Sequence, residues 1–366
     1  MSEYFHGDMY LQILKHLPLN SILRFRTVCK SWNSLITSNH FISTNLKHTK
    51  SVNQNQLLIR YFDRTHKTEQ YIVSKDNESF DLQFSSIPFF QYASEVGCFR
   101  IVNYCDGVIC LSNNLYESIY MVILWNPSIR KSIRVSIPKC EQILTIDMLG
   151  FGVCPVTHDP KIVKISYLND FSRLVEVFSV ALGVWRKPNI IDCMRNRLRE
   201  TVEFIWSQVC YNGNIHWVAF DKEKSVSFCG LIVSFNLVDE AFDEISLPDG
   251  IPSQCVSNLS ISIRKDDLAL LEYDLEKGRE SCDVWVMKEY GVKGSWEKLY
   301  VVRLPGILRK VVGFRMNGDT VVALKNHELV IVRCNGDVES LGIYGNIRSF
   351  FLGSYVDSLI LINQVD

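Results

Sequence analysis

The sequence has no excess of charge of either sign and no long apolar run. Its 366 residues include 39 Lys and Arg against 40 Asp and Glu, which gives a formal net charge of -1. A phosphate backbone or an anionic lipid surface needs dense basic clusters, which a balanced chain lacks. No apolar stretch approaches the roughly 18 residues that cross a bilayer. We therefore expect a soluble protein, with no nucleic acid and no membrane among its partners.

The chain also lacks the signals of secretion and of metal binding. Its first residues have neither the basic start nor the apolar core of a signal peptide. Twelve Cys residues are scattered without a Cys-x-x-Cys pair or a Cys/His cluster, which argues against a zinc site or a redox motif. We therefore expect a reducing location, cytoplasmic and/or nuclear, with free thiols and no metal.

Catalytic signatures are missing as well. The sequence contains no P-loop, no His-Glu-x-x-His and no Gly-x-Ser-x-Gly motif. Gly150 and Gly152 are followed by Pro155, so a strand end with a turn explains them better than phosphate binding. His216, beside Trp217 in a predicted strand, is interpreted as a core histidine. We expect no catalytic residues and no cofactor, and an enzyme acting on a small molecule or sugar is the least favoured alternative.

The first fifty residues carry a helical pattern. From Asp8 to about Asn39 the apolar residues recur at helical spacing, and Pro18 interrupts the pattern after Leu17. The pattern predicts three short helices. A unit of this size is near the lower limit of independent stability, yet it holds more large apolar residues than three short helices can hide. It is either a cap packed on the remaining chain or a docking module whose spare apolar face a partner covers.

The order of residues in this unit is specific. The run from Ile13 to Ile36, and above all residues 24–32 (RFRTVCKSW), closely resembles the plant form of the F-box motif. The resemblance implies docking onto a Skp-type adaptor, which is itself bound to a cullin and a RING subunit. It also implies that certain positions serve the helical core or the adaptor surface, without separating the two roles: Phe5, Ile13, Leu14, Leu17, Pro18, Leu23, Val28, Cys29, Lys30 and Trp32.

One feature departs from the motif. F-box motifs typically open with Leu-Pro, whereas this chain has Phe5 and His6. Phe5 can fill the apolar space of the leucine, but His6 cannot reproduce the fixed φ of proline. A binding or scaffold protein with a weakened F-box, which does not direct ubiquitination, is therefore the alternative function.

The rest of the chain repeats a strand, a turn and a second strand about every fifty residues. This length is typical of a four-stranded propeller blade. The hairpins fall at residues 122–135, 175–185, 231–245, 283–299 and 329–341. The strands left over at the two ends predict that residues 57–75 pair with residues 357–363 to complete a sixth blade. We expect a mainly β protein with a small α module, divided into residues 1–46 (F-box), 47–56 (linker) and 57–366 (propeller).

The repeating region resembles the F-box-associated, kelch-like domains of plants, which include the pollen F-box proteins of self-incompatibility loci. Four segments carry the resemblance: residues 105–110, 124–130, 150–164 and 212–217. The Gly-Gly pair of true kelch repeats is absent, so the blades are divergent. The resemblance implies a substrate-recognition subunit of a Skp-cullin-F-box ubiquitin ligase, whose propeller binds a protein target. The sequence does not indicate which residues or which face would bind that target.

Overall fold

The structure is a computed structural model, and it describes residues 7–52, 56–76, 85–86, 99–113, 121–138, 143–169, 172–188, 198–222, 229–251 and 258–364. Within these residues it has four α-helices and 24 β-strands. No helix among them is long and apolar enough to cross a membrane. The chain is mostly β, with a small helical module at its N-terminal end, as the sequence predicts.

The helical module consists of four helices rather than three. They are α1 (Gly7–Leu14), α2 (Leu19–Phe25), α3 (Lys30–Ile36) and α4 (Asn39–Val52). The predicted linker 47–56 is wrong in its first half, because residues 47–52 continue α4. The polar run there is the exposed side of a helix whose other side buries Phe41, Ile42 and Leu46. Spacings of three and four residues place such side chains on one helix face.

Six four-stranded antiparallel sheets follow, each forming one blade in the described residues. Blade 1 is β4 (Arg100–Cys105), β5 (Val108–Ser112), β6 (Met121–Asn126) and β7 (Lys131–Ser136). Blade 2 is β8 (Ile143–Val153), β9 (Pro160–Leu168), β10 (Arg173–Ser179) and β11 (Val184–Arg186). Blade 3 is β12 (Val202–Tyr211), β13 (Asn214–Asp221), β14 (Cys229–Asn236) and β15 (Phe242–Ser246).

The remaining blades complete the ring. Blade 4 is β16 (Leu259–Arg264), β17 (Asp267–Asp274), β18 (Ser281–Met287) and β19 (Trp296–Arg303). Blade 5 is β20 (Leu308–Phe314), β21 (Thr320–Leu324), β22 (Glu328–Val332) and β23 (Val338–Tyr344). Blade 6 is β24 (Phe351–Ser354), β1 (Gln56–Asp63), β2 (Thr68–Lys75) and β3 (Ser85–Ser86). The six-bladed propeller and its five repeated hairpins are thus confirmed.

The two chain ends share blade 6, but through a different strand from the predicted one. Residues 57–60 pair with β24 (Phe351–Ser354), not with residues 357–363. The prediction relied on the apolar run at 359–362. Those residues are buried without forming a strand, in a cluster that also contains helical-module residues, and Leu361 has a positive φ of 75°. Apolar residues alone do not distinguish a strand from a buried turn.

The innermost strand of each blade starts at one face of the propeller and ends at the other. In the order β4, β8, β12, β16, β20 and β24 these strands surround the central axis. We call the face where they begin the entry face and the face where they end the exit face. The helical module lies at the exit face, because Lys50 of α4 pairs with Asp106, directly after β4, at 2.6 Å.

Candidate functional site: the exposed surface of the helical module

The helical module has a buried core that is continuous with the propeller. Leu14, Ile22 and Ile36 are at most 2% exposed. They belong to one apolar cluster with residues of blades 1 and 2 and with the C-terminal segment 356–362. The module is therefore packed on the large domain, as the first of the two sequence-based alternatives proposes.

Polar contacts hold the same junction. The Asn363 side-chain amide donates to the Thr37 carbonyl oxygen at 2.8 Å. The Asn126 amide donates to the carbonyl oxygens of Ser358 (2.9 Å) and Ile360 (2.7 Å). Burial lowers the pKa of the Lys50 ammonium, but the charge and hydrogen bond of Asp106 outweigh this effect, and the net pKa is raised. The C-terminal segment thus joins the helices to blade 1.

Apolar side chains nevertheless remain on the outside of the module. Met9, Ile13 and Val28 are 47%, 55% and 63% exposed. Met9 and Ile13 lie four residues apart on α1, so they share one helix face. Val28 lies in the turn between α2 and α3, where its amide donates to the Phe25 carbonyl oxygen at 3.1 Å. These three residues, which we call the exposed apolar set, fit the second alternative, a docking module.

The structure divides the predicted adaptor-binding residues into packed and exposed ones. Leu14 points into the core, and Leu17, Leu23 and Trp32 are half-buried and packed against it. Five of the predicted adaptor-binding residues are exposed: Ile13, Pro18, Val28, Cys29 and Lys30. Phe5 lies outside the described residues, so its predicted role stays a prediction.

Trp32 belongs to an aromatic group inside the module. Its ring lies edge-on to Phe25 at a centroid distance of 5.0 Å and tilted to Tyr10 at 5.9 Å. Edge-to-face contacts of this kind stabilise packed aromatic rings. Phe25 and Tyr10 thus fix the orientation of the half-buried Trp32 ring, and its exposed part can serve as a rigid contact surface.

Pro18 and Cys29, two of the exposed residues, stand at the N-terminal ends of α2 and α3. Pro18 is the N-cap of α2 with φ -55° and ψ 142°, and Cys29 is the N-cap of α3 with extended φ and ψ. The Cys29 thiol lies 3.0 Å from the Ser31 hydroxyl. This side-chain hydrogen bond, with a backbone bond from Trp32, lowers the pKa of the Cys29 thiol.

Sequence reasoning missed Met9 as a surface residue. The sequence pattern counts Met9 with the apolar positions of the first helix, without direction. Residues three or four apart share a helix face. Met9 and Ile13 therefore form the exposed face of α1, and Leu11 and Leu14 form its buried face. This spacing is the signal in the sequence that separates the two faces.

The glycines and the histidine that raised enzymatic alternatives have packing roles. A Cβ on Gly150 would lie 2.2 Å from the ring of Trp217, and one on Gly152 would lie 2.6 Å from Leu237. These glycines let blade 2 approach blade 3. His216 is buried, and its Nε2 lies 2.8 Å from the Tyr290 hydroxyl. Burial lowers the pKa of His216 to about 4, so the ring is neutral at pH 7.

The described residues offer no metal-binding cluster. Within those ranges, no three His, Cys, Asp or Glu side chains meet in a way that could hold a metal ion.

The structure thus combines a small helical module that carries exposed apolar residues with a six-bladed propeller, and the module is packed on one face of the propeller. Residues 8–44 match the family described as the F-box domain, and residues 63–362 match the F-box associated beta propeller domain. The second match covers most of the chain. The chain therefore belongs to the F-box proteins that carry an F-box-associated β-propeller.

Its curated relatives include plant F-box proteins. It is 26% identical over 320 residues to F-box protein At3g07870 of Arabidopsis thaliana, covering 81% of this chain and 72% of that protein. F-box/kelch-repeat protein At3g23880 of the same plant is 25% identical over 320 residues, covering 82% and 79%. Among solved structures, a crystal structure of puromycin hydrolase matches with a TM-score of 0.45 and 13% identity, covering 68% of this chain and 40% of that one.

Proposed function

We propose that this protein is the substrate-recognition subunit of a Skp-cullin-F-box ubiquitin ligase. The single observation that carries the proposal is the exposed apolar set on a module that matches the F-box domain. Large apolar side chains left exposed on a small unit are typical of a surface that a partner covers. The partner we infer is a Skp-type adaptor, through which a cullin and a RING subunit are recruited.

The propeller would hold the protein target. The exit face is partly occupied by the helical module, whereas the described strand ends at the entry face lie on the side away from this module. Loops on a rigid scaffold are the usual place for recognition. We therefore infer that the target binds at the entry face.

No reacting group from this chain is required by this role. The ligase would raise the effective concentration of target lysines near a ubiquitin-loaded enzyme, so that catalysis depends on proximity. The protein is then a non-catalytic subunit acting in the cytoplasm and/or the nucleus.

Adaptor docking can be tested without unfolding the module. Ile13→Asp combined with Val28→Asp places charges at two exposed apolar positions, and we expect co-purification of a co-expressed Skp-type adaptor to fall at least tenfold. The matched control is Val338→Asp, at a valine of β23 that is 48% exposed on the propeller. We expect this control to retain the adaptor.

The outcome distinguishes the two functions that the sequence leaves open. If the wild-type chain retains no adaptor, the scaffold alternative with a weakened F-box replaces the ligase role. If the double variant and Val338→Asp retain the adaptor equally, the exposed apolar set is not the docking surface. If the double variant loses the adaptor, it cannot pass the target on for ubiquitination, and interaction capture with this variant would identify the bound target.

A further inference from the structure

The propeller encloses a cavity on its axis. The cavity has a volume of about 670 Å³ and is lined by the innermost strands β4, β12, β16, β20 and β24. Sites for small molecules and cofactors typically have volumes of about 300 to 1,000 Å³. The cavity is thus of the right size for a small organic ligand, whereas a folded protein surface could contact only its rim.

The charges around the cavity are strongly unequal. Its lining contains seven Lys and Arg residues but only two acids, Asp106 and Asp266. Three of the basic residues have carboxylate partners, in the pairs Lys50 with Asp106, Arg60 with Glu69, and Arg315 with Asp76. Four form no ion pair with any residue in the described ranges: Arg100, Lys265, Lys310 and Arg348.

Three of these four unpaired cations lie toward the entry face. Arg100 begins β4, Lys310 lies near the beginning of β20, and Arg348 precedes β24. Lys265 instead follows β16 at the exit end, next to Asp266. The innermost strands run in one direction, so the entry half of the cavity collects positive charge while the acids lie at the other end.

Arg100 is held in place by an aromatic ring. Its guanidinium carbon lies 4.0 Å from the ring centroid of Trp206 on β12. Trp206 belongs to a bulge between Phe204 and Gln208, which interrupts the pairing of β12 with β13. Bulges re-aim side chains at functional positions. The bulge therefore positions the ring that supports Arg100 across the cavity.

Arg100 and Lys310 act on each other as like charges. Burial lowers the pKa of Arg100 to about 10. Arg100 therefore remains cationic at pH 7. Lys310 lines the cavity, and its side chain is accessible from there. The surrounding protein desolvates its ammonium, which lowers the pKa of Lys310, and the charge of Arg100 lowers it further. Two like charges in a confined space disfavour each other unless an anion lies between them.

Arg60 lines the cavity at the same end and is held by partners of its own. It lies opposite Phe351 of β24 in the pairing of blade 6 and is 4% exposed. Its terminal nitrogens donate to Glu69 and to the Ser349 carbonyl oxygen, but its Nε has no hydrogen-bond partner within the described residues.

From this arrangement we propose that the entry half of the propeller cavity binds a small organic phosphate, with Arg100 and Lys310 as its main contacts. Guanidinium and ammonium groups are the side chains that proteins use for phosphate oxygens. The Trp206 ring fixes Arg100 before the ligand arrives, so little side-chain order has to be gained on binding. The proposal goes beyond target recognition, because it assigns a ligand to the interior of the propeller.

The full-length protein can be tested with pyrophosphate as the probe. We expect isothermal titration to show binding, and thermal unfolding to shift upward in its presence at constant ionic strength. Lys310→Gln should weaken pyrophosphate binding at least tenfold, and Arg100→Lys, which keeps the charge but loses the planar donor pair, should weaken it to a smaller degree. The matched control is Lys277→Gln, an exposed lysine in the turn between β17 and β18.

Stability without ligand separates a binding role from a structural one. Removing a repelled charge should leave Lys310→Gln at least as stable as the wild type, while its pyrophosphate-induced shift disappears. The proposal is overturned if the wild type does not bind pyrophosphate, or if Lys277→Gln weakens binding as much as Lys310→Gln. Binding of a phosphoserine peptide without binding of pyrophosphate would also overturn it, in favour of a protein ligand. The adaptor takes no part in this test, so its result is separate from that of the docking experiment.

Discussion

The helical module and the propeller differ in how completely they cover their apolar residues. Four large apolar side chains are exposed within described residues 9–52, against ten in the much longer described part of the propeller. The strands β5 and β6 are buried at every position, because neighbouring strands and blades cover both of their faces. Radial repetition of the blades leaves only short, protected sheet edges. A few short helices have too little surface to cover all of their large apolar side chains, so the module leaves a larger share of them exposed than the propeller does.

The largest effect on stability is expected in the propeller, at Trp217. Its side chain is fully buried, its ring fills the space left by Gly150, and its Nε1 donates to the Leu149 carbonyl oxygen at 3.3 Å. Trp217→Ala should lower the free energy of unfolding by about 3 to 5 kcal/mol, measured by urea denaturation. Trp296→Ala, at a half-buried tryptophan of β19, is the control. Equal losses in the two variants would contradict the idea that the blade interface is the most tightly packed part.

The next effect tests whether the module and the propeller are one folding unit. Leu14→Ala should cost about 2 to 5 kcal/mol, since Leu14 is 2% exposed in a cluster shared with the C-terminal segment. We expect far-UV circular dichroism and tryptophan fluorescence to report the same, lowered denaturation midpoint. A separate early transition of the helices, with the propeller unchanged, would show that the shared core does not couple the two regions.

A smaller, pH-dependent effect is expected where blade 4 meets blade 5. The Lys325 ammonium and the Gly306 amide hydrogen-bond to Glu280, and they lower the pKa of its carboxyl to about 2. Because the folded pKa lies below the value of about 4.5 for an unperturbed glutamate, this contribution is complete above pH 4.5 and is lost as the pH falls toward 2.

Thermal unfolding between pH 2 and pH 6 would measure how much the ionised Glu280 carboxylate contributes to stability. Glu280→Gln should unfold at a lower temperature than the wild type at pH 6, and the two midpoints should converge on acidification. Glu276→Gln, an exposed glutamate of the same turn, should show no comparable dependence. A constant difference between Glu280→Gln and the wild type at all pH values would mean that the ionised carboxylate is not what stabilises this junction.

The smallest effect on stability is expected at the exposed apolar set. Val28→Ala should change the free energy of unfolding by no more than about 0.5 kcal/mol, because the side chain is 63% exposed. Adaptor retention should fall measurably in the same variant. A loss of stability as large as that of Leu14→Ala would instead make Val28 part of the folded core and weaken the contrast between the two regions.

The sequence predicted the architecture well where its signals were periodic. The hairpin 122–135 became β6 and β7 of blade 1, and the helical spacing from residue 9 onward became α1 to α3. The sequence-based prediction was wrong where the same residue pattern is compatible with two different structures. Residues 47–52 read as a polar linker but extend α4, and the apolar run 359–362 read as a strand but is a buried turn beside the helices.

The sequence predicted which residues belong to the candidate site, but not which of their side chains point outward. Ile13 and Leu14 are adjacent in the sequence and both apolar, yet one is 55% exposed and the other 2%. The direction of each side chain depends on where α1 packs, which periodicity indicates only after the buried face is known. The cations of the cavity were not predicted at all, since Arg100 and Lys310 are far apart in the sequence and meet only through the closure of the ring.

The sequence by itself determined that this chain is an F-box-type helical unit followed by repeating four-stranded blades, because local periodicity and a contiguous motif specify both. Only the tertiary structure decided that β24 closes the ring, that the helices share a core with the C-terminal segment, and that unpaired cations gather at one end of the axis. These features depend on contacts between residues hundreds of positions apart. Such contacts arise from packing the whole chain and leave no pattern in any short stretch of it.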